Sequence, residues 1–345
     1  MVTLGLTLVV MQAAAAQYPL APSPVLDMKS LTRELRLSGY VSVRQTLRRD
    51  TLTFIVNRAR LTAQVLPASF AALRVQVDFT ATGQARADTI PAIVLTDAYI
   101  QLVPPATLAA AGGAGGAGWA GARALRPALI IGQFRTPFAL EFLTPFSLLP
   151  TANRSQPIDR HTTRRDIGVL AQLAVDHTVT FTGALVNGEG SNRLTNPDGK
   201  EMAIARVTVF PFARLAVAAK YLGQERDHRW GYDLRWMDHG ALVEGEFLAR
   251  RGPFTSTTTV DARGGYLLAS YRVRPWLQPV LKWEHLRDRR TTGATISTNS
   301  LTYTTVGINV LSSGETIRLL VDGIYKAEPG VFTGEELEVQ LIAIF

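Results

Sequence analysis

The chain has 345 residues, enough for one large domain or two ordinary ones, and its 47% hydrophobic and 19% charged residues exclude a disordered composition. It has no cysteine, which excludes a disulfide framework, a thiolate metal site and a cysteine nucleophile together. The formal net charge is +8 and all but five of the 36 cationic side chains are Arg, which indicates either contact with anions or GC-rich coding.

The first 16 residues form an apolar run that ends in Ala14, Ala15 and Ala16. An apolar core followed by small residues predicts a secretory signal peptide, residues 1–16, that is cleaved after Ala16. A membrane anchor is the alternative, but the run is shorter than the roughly 20 residues that a spanning helix needs. Residues 17–34 are then predicted to be a periplasmic N-terminal segment.

From residue 35 onward the chain repeats one unit, about ten residues of alternating apolar and polar character followed by a break. In one such run Leu73, Val75 and Val77 alternate with Arg74 and Gln76, so period two sets the two kinds of side chain on opposite faces. Sixteen runs are predicted as strands: 35–47, 52–65, 70–80, 95–103, 128–134, 166–175, 178–186, 202–210, 214–222, 230–237, 241–250, 265–273, 277–286, 301–310, 316–325 and 336–345.

The connections between the runs alternate between short turns and long polar stretches. The long ones are 187–201, 251–264, 287–300 and 326–335. Outer-membrane barrels have short periplasmic turns and long outer loops, whereas nothing in a soluble sandwich requires short and long connections to lie at opposite ends. We therefore predict an all-β fold, an antiparallel transmembrane β-barrel of about 16 strands over residues 35–345. A soluble exported β-domain is the alternative.

Two features bear on the ends of the barrel. The stretch 104–126 is long but falls at the periplasmic end, and its Ala and Gly content predicts a low-complexity turn; a glycine-rich phosphate cradle is the alternative, but the stretch has no GxxxxGK[ST] motif. The last run ends on Phe345 and is expected to pair with the first, because closure removes both sheet edges.

The stretch 131–165 fits neither strand alternation nor short-turn chemistry. It contains Pro137, Pro145, Pro150 and Pro157, which cannot donate to a β-ladder. A structureless insert of this length is unusual in a compact soluble domain, whereas a wide barrel has room for it in its lumen. We predict a constriction loop that folds inward and narrows the lumen.

Four short segments resemble one known family. GQFRTPFALE at 132–141, NRS at 153–155, NRARLTAQ at 57–64 and LVNGEG at 185–190 are similar to motifs of the phosphate-selective porin O and P family. The resemblance implies a sixteen-stranded porin, commonly trimeric, with the loop after strand five folded into the pore and phosphate as the solute. This chain departs from the family's lysine-rich lining, so Arg would have to take the place of Lys.

Arginines dominate the charges of the constriction loop and of the first strands. The predicted pore constriction and anion path consists of Arg135, Arg154, Arg160, Arg164, Arg165, Arg58, Arg60 and Arg74. Rings of Arg favour anions in a pore. The alternative is that these cations pair across the lumen with Asp78, Asp97, Glu244 or Glu246 and leave little net field.

No motif predicts chemistry. The sequence has no GxSxG, HExxH or EF-hand pattern, so we expect no catalytic residue, no metal site and no cofactor, and the dispersed cations disfavour nucleic acid. We predict a passive diffusion channel in a Gram-negative outer membrane, a homotrimer whose partners are outer-membrane lipid and small anionic solutes. A plugged or structural barrel is the alternative, and apolar packing of Phe138, Phe142, Phe146 and Leu148 across the lumen would favour it.

Overall fold

Sixteen antiparallel strands close into a barrel in the computed structural model, which describes residues 19–80, 93–104 and 125–345. Each strand pairs with its neighbours in sequence, so the predicted all-β barrel is confirmed. The strands are β1 (Arg36–Arg48), β2 (Thr51–Ala68), β3 (Ala71–Asp78), β4 (Val94–Leu102), β5 (Leu125–Arg135), β6 (Arg165–Val175), β7 (Val179–Val186), β8 (Met202–Phe212), β9 (Leu215–Gln224), β10 (Asp227–Asp238), β11 (Ala241–Pro253), β12 (Thr258–Tyr271), β13 (Leu277–Thr292), β14 (Thr295–Leu311), β15 (Ile317–Glu328) and β16 (Phe332–Ile344).

The barrel closes where β1 meets β16. Their register runs from Tyr40 opposite Ile344 to Arg48 opposite Glu336. The ladder ends on two backbone hydrogen bonds between Gly39 and Phe345, at 2.9 and 3.0 Å. Closure removes both open edges of the sheet, as the terminal strand led us to expect. One end of the barrel contains the start of β1, the end of β16 and the short turns, and we name it the turn end. We name the opposite end the loop end.

The alternation of the sequence separates an outer wall from an inner wall. On β3, Val75 is 46% exposed on the outer wall, whereas its neighbour Gln76 is 5% exposed inside the barrel. The same holds on β13, where Trp283 is 48% exposed and Glu284 3%. Period two therefore places apolar side chains outside and charged ones inside.

Three of the four predicted long loops are wrong. Strands β13 and β14 pair as far as Thr292 and Thr295, so 287–300 is a hairpin with a two-residue turn. The predicted loops 251–264 and 326–335 likewise shrink to the residues between β11 and β12 and between β15 and β16. Beyond the apolar band both faces of a strand are polar, so the alternation disappears from the sequence while the backbone ladder continues. Only 187–201 remains largely irregular.

Two predictions fall on residues that are not described. The signal peptide 1–16 lies entirely outside the described residues, and the Ala/Gly stretch 104–126 lies almost entirely outside them. Both therefore stay predictions.

The segment predicted to be periplasmic runs inside the turn end of the barrel. The hydroxyl of Tyr99 on β4 donates to the carbonyl of Pro24 at 2.8 Å, and Gln101 exchanges two hydrogen bonds with the backbone of Leu26 at 2.6 and 2.9 Å. Tyr99 and Gln101 are buried inner-wall side chains. This placement could not be predicted, because a short segment without hydrophobic periodicity does not indicate which side of the barrel wall it contacts.

Gly132 begins the family-like motif, and its backbone conformation excludes other residues. Its φ is +129°, and a Cβ built on it would lie 2.3 Å from the carbonyl oxygen of Ala98 on β4. We expect Gly132→Ala to lower the free energy of unfolding by about 2–3 kcal/mol, since both the strain and the clash oppose β4–β5 pairing. Urea titration measures this change, with the folded fraction read from the heat-modifiable band in gel electrophoresis. Gly183→Ala, with no atom within 4 Å of its Cβ position, is the control, and equal midpoints for both variants would contradict the assignment.

Candidate functional site

The connection between β5 and β6 folds into the lumen, as predicted. It contains two short helices, α1 (Leu140–Leu143) and α2 (Gln156–His161), with a 3-10 turn at Phe146–Leu148 between them. None of the helices among the described residues is long and apolar enough to cross a membrane. We name residues 136–164 the constriction loop.

Carboxylates of the inner wall hold the constriction loop by its backbone amides. Glu246 accepts from the amides of Leu140 and Glu141 at 3.0 and 3.2 Å, and Asp322 accepts from the amide of Ala152 at 2.7 Å. On β13, Glu284 accepts from the amide of Gln156 at 2.5 Å. A loop with few ladder partners needs other acceptors for its buried amides, and the wall supplies them.

Glu246 belongs to a buried charge network on the inner wall. Lys220 on β9 pairs with both Glu246 and Asp233, and Arg206 on β8 contacts Asp233 at 2.7 Å. Arg206 also donates to the carbonyl of Phe138 in the loop at 3.2 Å. The network therefore joins four strands, β8 to β11, to the first turn of the constriction loop.

We expect Glu246→Ala to destabilise the protein by about 3–5 kcal/mol, because it leaves two loop amides without an acceptor and reduces Lys220 to one buried partner. The released loop should also make single-channel current noisier. Urea unfolding and current traces measure both effects. The control Glu335→Ala removes an exposed carboxylate; unfolding curves that coincide for the two variants would refute the anchoring role of Glu246.

Six of the eight predicted arginines come together beside the loop. On the wall, Arg58 and Arg60 face Asp78 at 3.8 and 2.7 Å, while Arg74 and Arg165 face Asp97 at 3.1 and 2.6 Å. The remaining two come from the end of β5 and from the loop. We name this set the arginine cluster: Arg58, Arg60, Arg74, Arg135, Arg154 and Arg165.

Arg135 and Arg154 carry the charge excess of the cluster. Among the described residues neither forms an ion pair within 4.0 Å, and both donate to loop carbonyls, Arg135 to Leu143 at 2.9 Å and Arg154 to Glu141 at 3.2 Å. The guanidinium of Arg154 also lies 4.3 Å from the ring centroid of Phe142. Six arginines thus face two aspartates, a formal excess of four positive charges.

The other two predicted arginines pair with carboxylates of their own, although the guanidinium of Arg164 lies 5.6 Å from the ring centroid of Phe142. Arg160, in α2, makes a bidentate pair with Glu328 of β15 at 2.8 and 3.0 Å, away from the arginine cluster. Arg164 pairs with Asp159 at 3.0 Å, and both side chains are well exposed. The expected partners Asp78 and Asp97 do pair with the arginine cluster, but along the wall between nearby strands and not across the lumen. Glu244 and Glu246 pair with Arg235 and Lys220 instead.

Burial shifts the pKa values of Glu141 and Arg154, which lie in the loop and outside the strands. Burial raises the pKa of Glu141 to about 8, although its carboxylate accepts from the amide and hydroxyl of Ser155 at 2.8 and 2.9 Å. Burial, followed by the charge of Arg58, lowers the pKa of Arg154 to about 9. Near pH 7 Glu141 is thus mostly neutral and Arg154 charged, which favours anions.

We expect the anion preference to decrease as the pH rises from 7 to 9. Over this range Glu141 gains a negative charge, so the constriction becomes less positive. Reversal potentials in a salt gradient at pH 6, 7.5 and 9 measure the change. Glu141→Gln should remove the part that is due to the carboxyl, and a potential independent of pH would contradict the proposed charge states.

Aromatic residues fill much of the lumen. Phe138, Phe142 and Phe146 are at most 5% exposed, whereas Leu148 stays partly exposed. Phe146 stacks on Tyr40 of β1 with ring centroids 6.5 Å apart, so the loop reaches from β5 across to β1. This packing is what we expected of a plugged barrel. Beside the loop, the Arg58 and Arg74 side chains remain 19% and 16% exposed.

The inner-wall groups that hold the loop were not predicted from the sequence. Lys282, for example, donates to Thr151 and to the carbonyl of Asn153 at 3.2 and 2.9 Å, and Arg318 donates to two loop carbonyls. Strand parity alone places both residues inside, so the signal was present. In the part of the chain that the structure describes, no group of three His, Asp or Glu side chains could hold a metal ion.

The fold is that of outer-membrane channels. No protein-family model and no curated protein matches the chain. Similar solved structures include OmpF of Salmonella typhi in complex with daunomycin (12% identity, TM-score 0.62), the outer membrane channel DcaP of Acinetobacter baumannii (11%, 0.60) and OmpT of Vibrio cholerae in a trimer form (11%, 0.59). Each alignment covers 90% of this chain and at least 97% of the other.

At sequence identities of 11–12%, these similarities show only that the fold is shared. The alignments span nearly all of each chain, so the likeness extends over the whole barrel. It shows a shared barrel fold over that length. Solute, selectivity and assembly have to be argued from this chain's own residues.

Proposed function

We propose that the protein is a porin, a passive diffusion channel of the Gram-negative outer membrane with a preference for small anions such as phosphate. The observation that carries the proposal is the arginine cluster beside the constriction loop, with four positive charges in formal excess. A guanidinium matches the geometry of phosphate with two parallel hydrogen bonds. Fixed cations in a low-dielectric lumen attract anions and repel cations.

The outer wall supports a membrane location. Leu281, Trp283, Val306 and Ile308 are between 48% and 62% exposed on neighbouring strands, an apolar surface that water would not tolerate. Lipid is the solvent that such a band matches. Export through a signal peptide cleaved after Ala16 belongs to the same proposal.

Transport on this proposal needs no covalent step, no catalytic residue and no cofactor. The solute moves down its concentration gradient, sheds part of its hydration shell at the constriction and exchanges it for guanidinium contacts. Arg135 and Arg154 offer guanidinium groups that form no ion pair within 4.0 Å among the described residues. Nucleic acid has no part in the proposal. A homotrimer is the proposed assembly; the OmpT structure of Vibrio cholerae is described as a trimer form.

A plugged barrel is the second candidate function. Two observations favour it: the backbone of Pro24 and Leu26 is bound inside the turn end, and three phenylalanines of the loop are buried across the lumen. In this case the barrel would have a structural role and no significant conductance. A soluble exported domain is disfavoured by the apolar outer wall.

Current block by phosphate tests the proposed solute. Single-channel current is recorded in chloride and phosphate is then added at constant ionic strength. Reduction of the chloride current at millimolar phosphate supports an anion path with phosphate affinity. If the chloride current is unchanged, phosphate is not a solute of this channel. If a folded, heat-modifiable barrel carries no current, the plugged barrel is favoured.

A further inference from the structure

Four arginines form a patch on the outer wall at the loop end of the barrel. Strand register places Arg251 opposite Asp261, and Asp261 opposite Arg289, in one row across β11, β12 and β13. The next row toward the turn end places Arg263 opposite Arg287. We name Arg251, Arg263, Arg287 and Arg289 the outer arginine patch.

The patch is exposed and its charges are mostly uncompensated. All four arginines are exposed, and Arg263 pairs with Asp261 at 3.6 Å with side chains 71% and 45% accessible. Within the described ranges, Arg251, Arg287 and Arg289 form no ion pair within 4.0 Å. Four cations thus face one carboxylate on a surface where a soluble protein would gain little from clustering them.

Directly beneath the patch lies a row of aromatic rings. Tyr232, Phe247 and His285 share one row of the outer wall, flanked by Trp230 and Trp283. Phe247 packs on Tyr232 and Trp230, with centroids 5.2 and 5.6 Å away, and Trp283 stacks on His285 at 6.1 Å. Aromatic rings concentrate where hydrocarbon meets lipid headgroups.

The height of the patch matches the edge of a membrane. Ten residues of β11 separate Ala241, at the turn end, from Arg251. At about 3.3 Å per residue and a strand tilt of about 40°, they span about 25 Å, the height of the apolar band of an outer-membrane barrel. Apolar residues, aromatic rings and cations therefore follow one another in the order of a bilayer leaflet.

We propose that the outer arginine patch binds the phosphate groups of an anionic lipid in the leaflet at the loop end. The proposal rests on the membrane location in the proposed function. A lipid phosphate would lie at the level of the patch while its acyl chains cover the aromatic row and the apolar wall below. A soluble polyanion could use the cations but not the apolar surface that continues beneath them.

The test uses the full folded chain in neutral detergent micelles and bisphosphorylated lipid A as the probe. Binding is followed by quenching of tryptophan fluorescence with a brominated form of the lipid. The variant Arg263→Gln/Arg287→Gln should weaken binding about thirtyfold, about fivefold for each arginine. Binding should also weaken with added salt, since the contact is ionic.

The control is Arg214→Gln/Arg274→Gln, which removes the same charge at the turn end. It should change the affinity less than twofold, and dephosphorylated lipid A should bind the parent protein weakly. Equal affinity of the two double variants for lipid A, or equal binding of both lipids to the parent protein, would overturn the proposal. It would also be overturned if Arg263→Gln/Arg287→Gln changed the oligomeric state without changing lipid binding. Conductance of the same preparations reports the channel separately, so a conducting barrel that does not bind lipid A sinks this inference alone.

Discussion

Replacing Arg58 and Arg154 by Gln is expected to lower the ratio of anion to cation permeability at least about tenfold. The change halves the formal excess of the arginine cluster from four charges to two. A fixed charge about 8 Å from a passing ion is worth about 1 kcal/mol at an effective dielectric constant of about 40, and it acts with opposite sign on anions and cations. Reversal potentials in a tenfold potassium chloride gradient measure the ratio.

The matched control is Arg263→Gln/Arg287→Gln, which removes two arginines from the outer wall. These lie outside the lumen, so the reversal potential should stay that of the parent protein. The effect in the pore variant should also shrink as ionic strength rises, because mobile ions screen the cluster. Equal shifts in the two double variants would mean that the protein's overall charge, and not the cluster, sets selectivity.

Removing residues 19–31 is expected to raise single-channel conductance at least about twofold. The segment lies in the lumen, bound by Tyr99 and Gln101 of β4 and by Arg235 of β10, which donates to the carbonyl of Pro19 at 2.5 Å. Arg235 also donates to the hydroxyl of Thr144 in the constriction loop at 2.7 Å. The segment and the loop therefore lie in series along the same path, and both add to its resistance.

A cross-link supplies the control for the truncation. The Ser23 hydroxyl donates to Gln172 of β6 at 2.7 Å, and the chain has no cysteine of its own. Ser23→Cys/Gln172→Cys should hold the segment on the wall when oxidised, with a conductance no higher than that of the parent protein. If the protein without residues 19–31 conducts no better than the parent protein, the segment does not restrict ion flow through the lumen.

Much of the barrel could be predicted because one physical rule acts along all of it. A strand between lipid and water must alternate, so the run 70–80 was readable as β3 and its inner charges as lumen groups. The four prolines of 131–165 located the constriction loop for a similar local reason. Where lipid no longer contacts the strand, as in 287–300, the alternation disappears and the hairpin could not be recognised.

The partners of each arginine could not be predicted from the sequence. Arg160 and Arg154 lie six residues apart in one loop, yet one pairs with Glu328 and the other stacks on Phe142. The difference depends on which strand each faces across the lumen, a relation set by loop geometry and not by spacing. The same applies to residues 19–26, whose contacts with Tyr99, Gln101 and Arg235 are formed by backbone carbonyls and amides that every sequence has.

The reversal potential of the parent protein in a planar bilayer, under a tenfold potassium chloride gradient, tests the account most directly. An arginine cluster with four positive charges in excess predicts discrete current steps and a potential directed toward the chloride equilibrium potential. A potential directed toward that of potassium would contradict the account while leaving the barrel intact. Absence of current, both in the parent protein and after removal of residues 19–31, would show that the barrel is plugged.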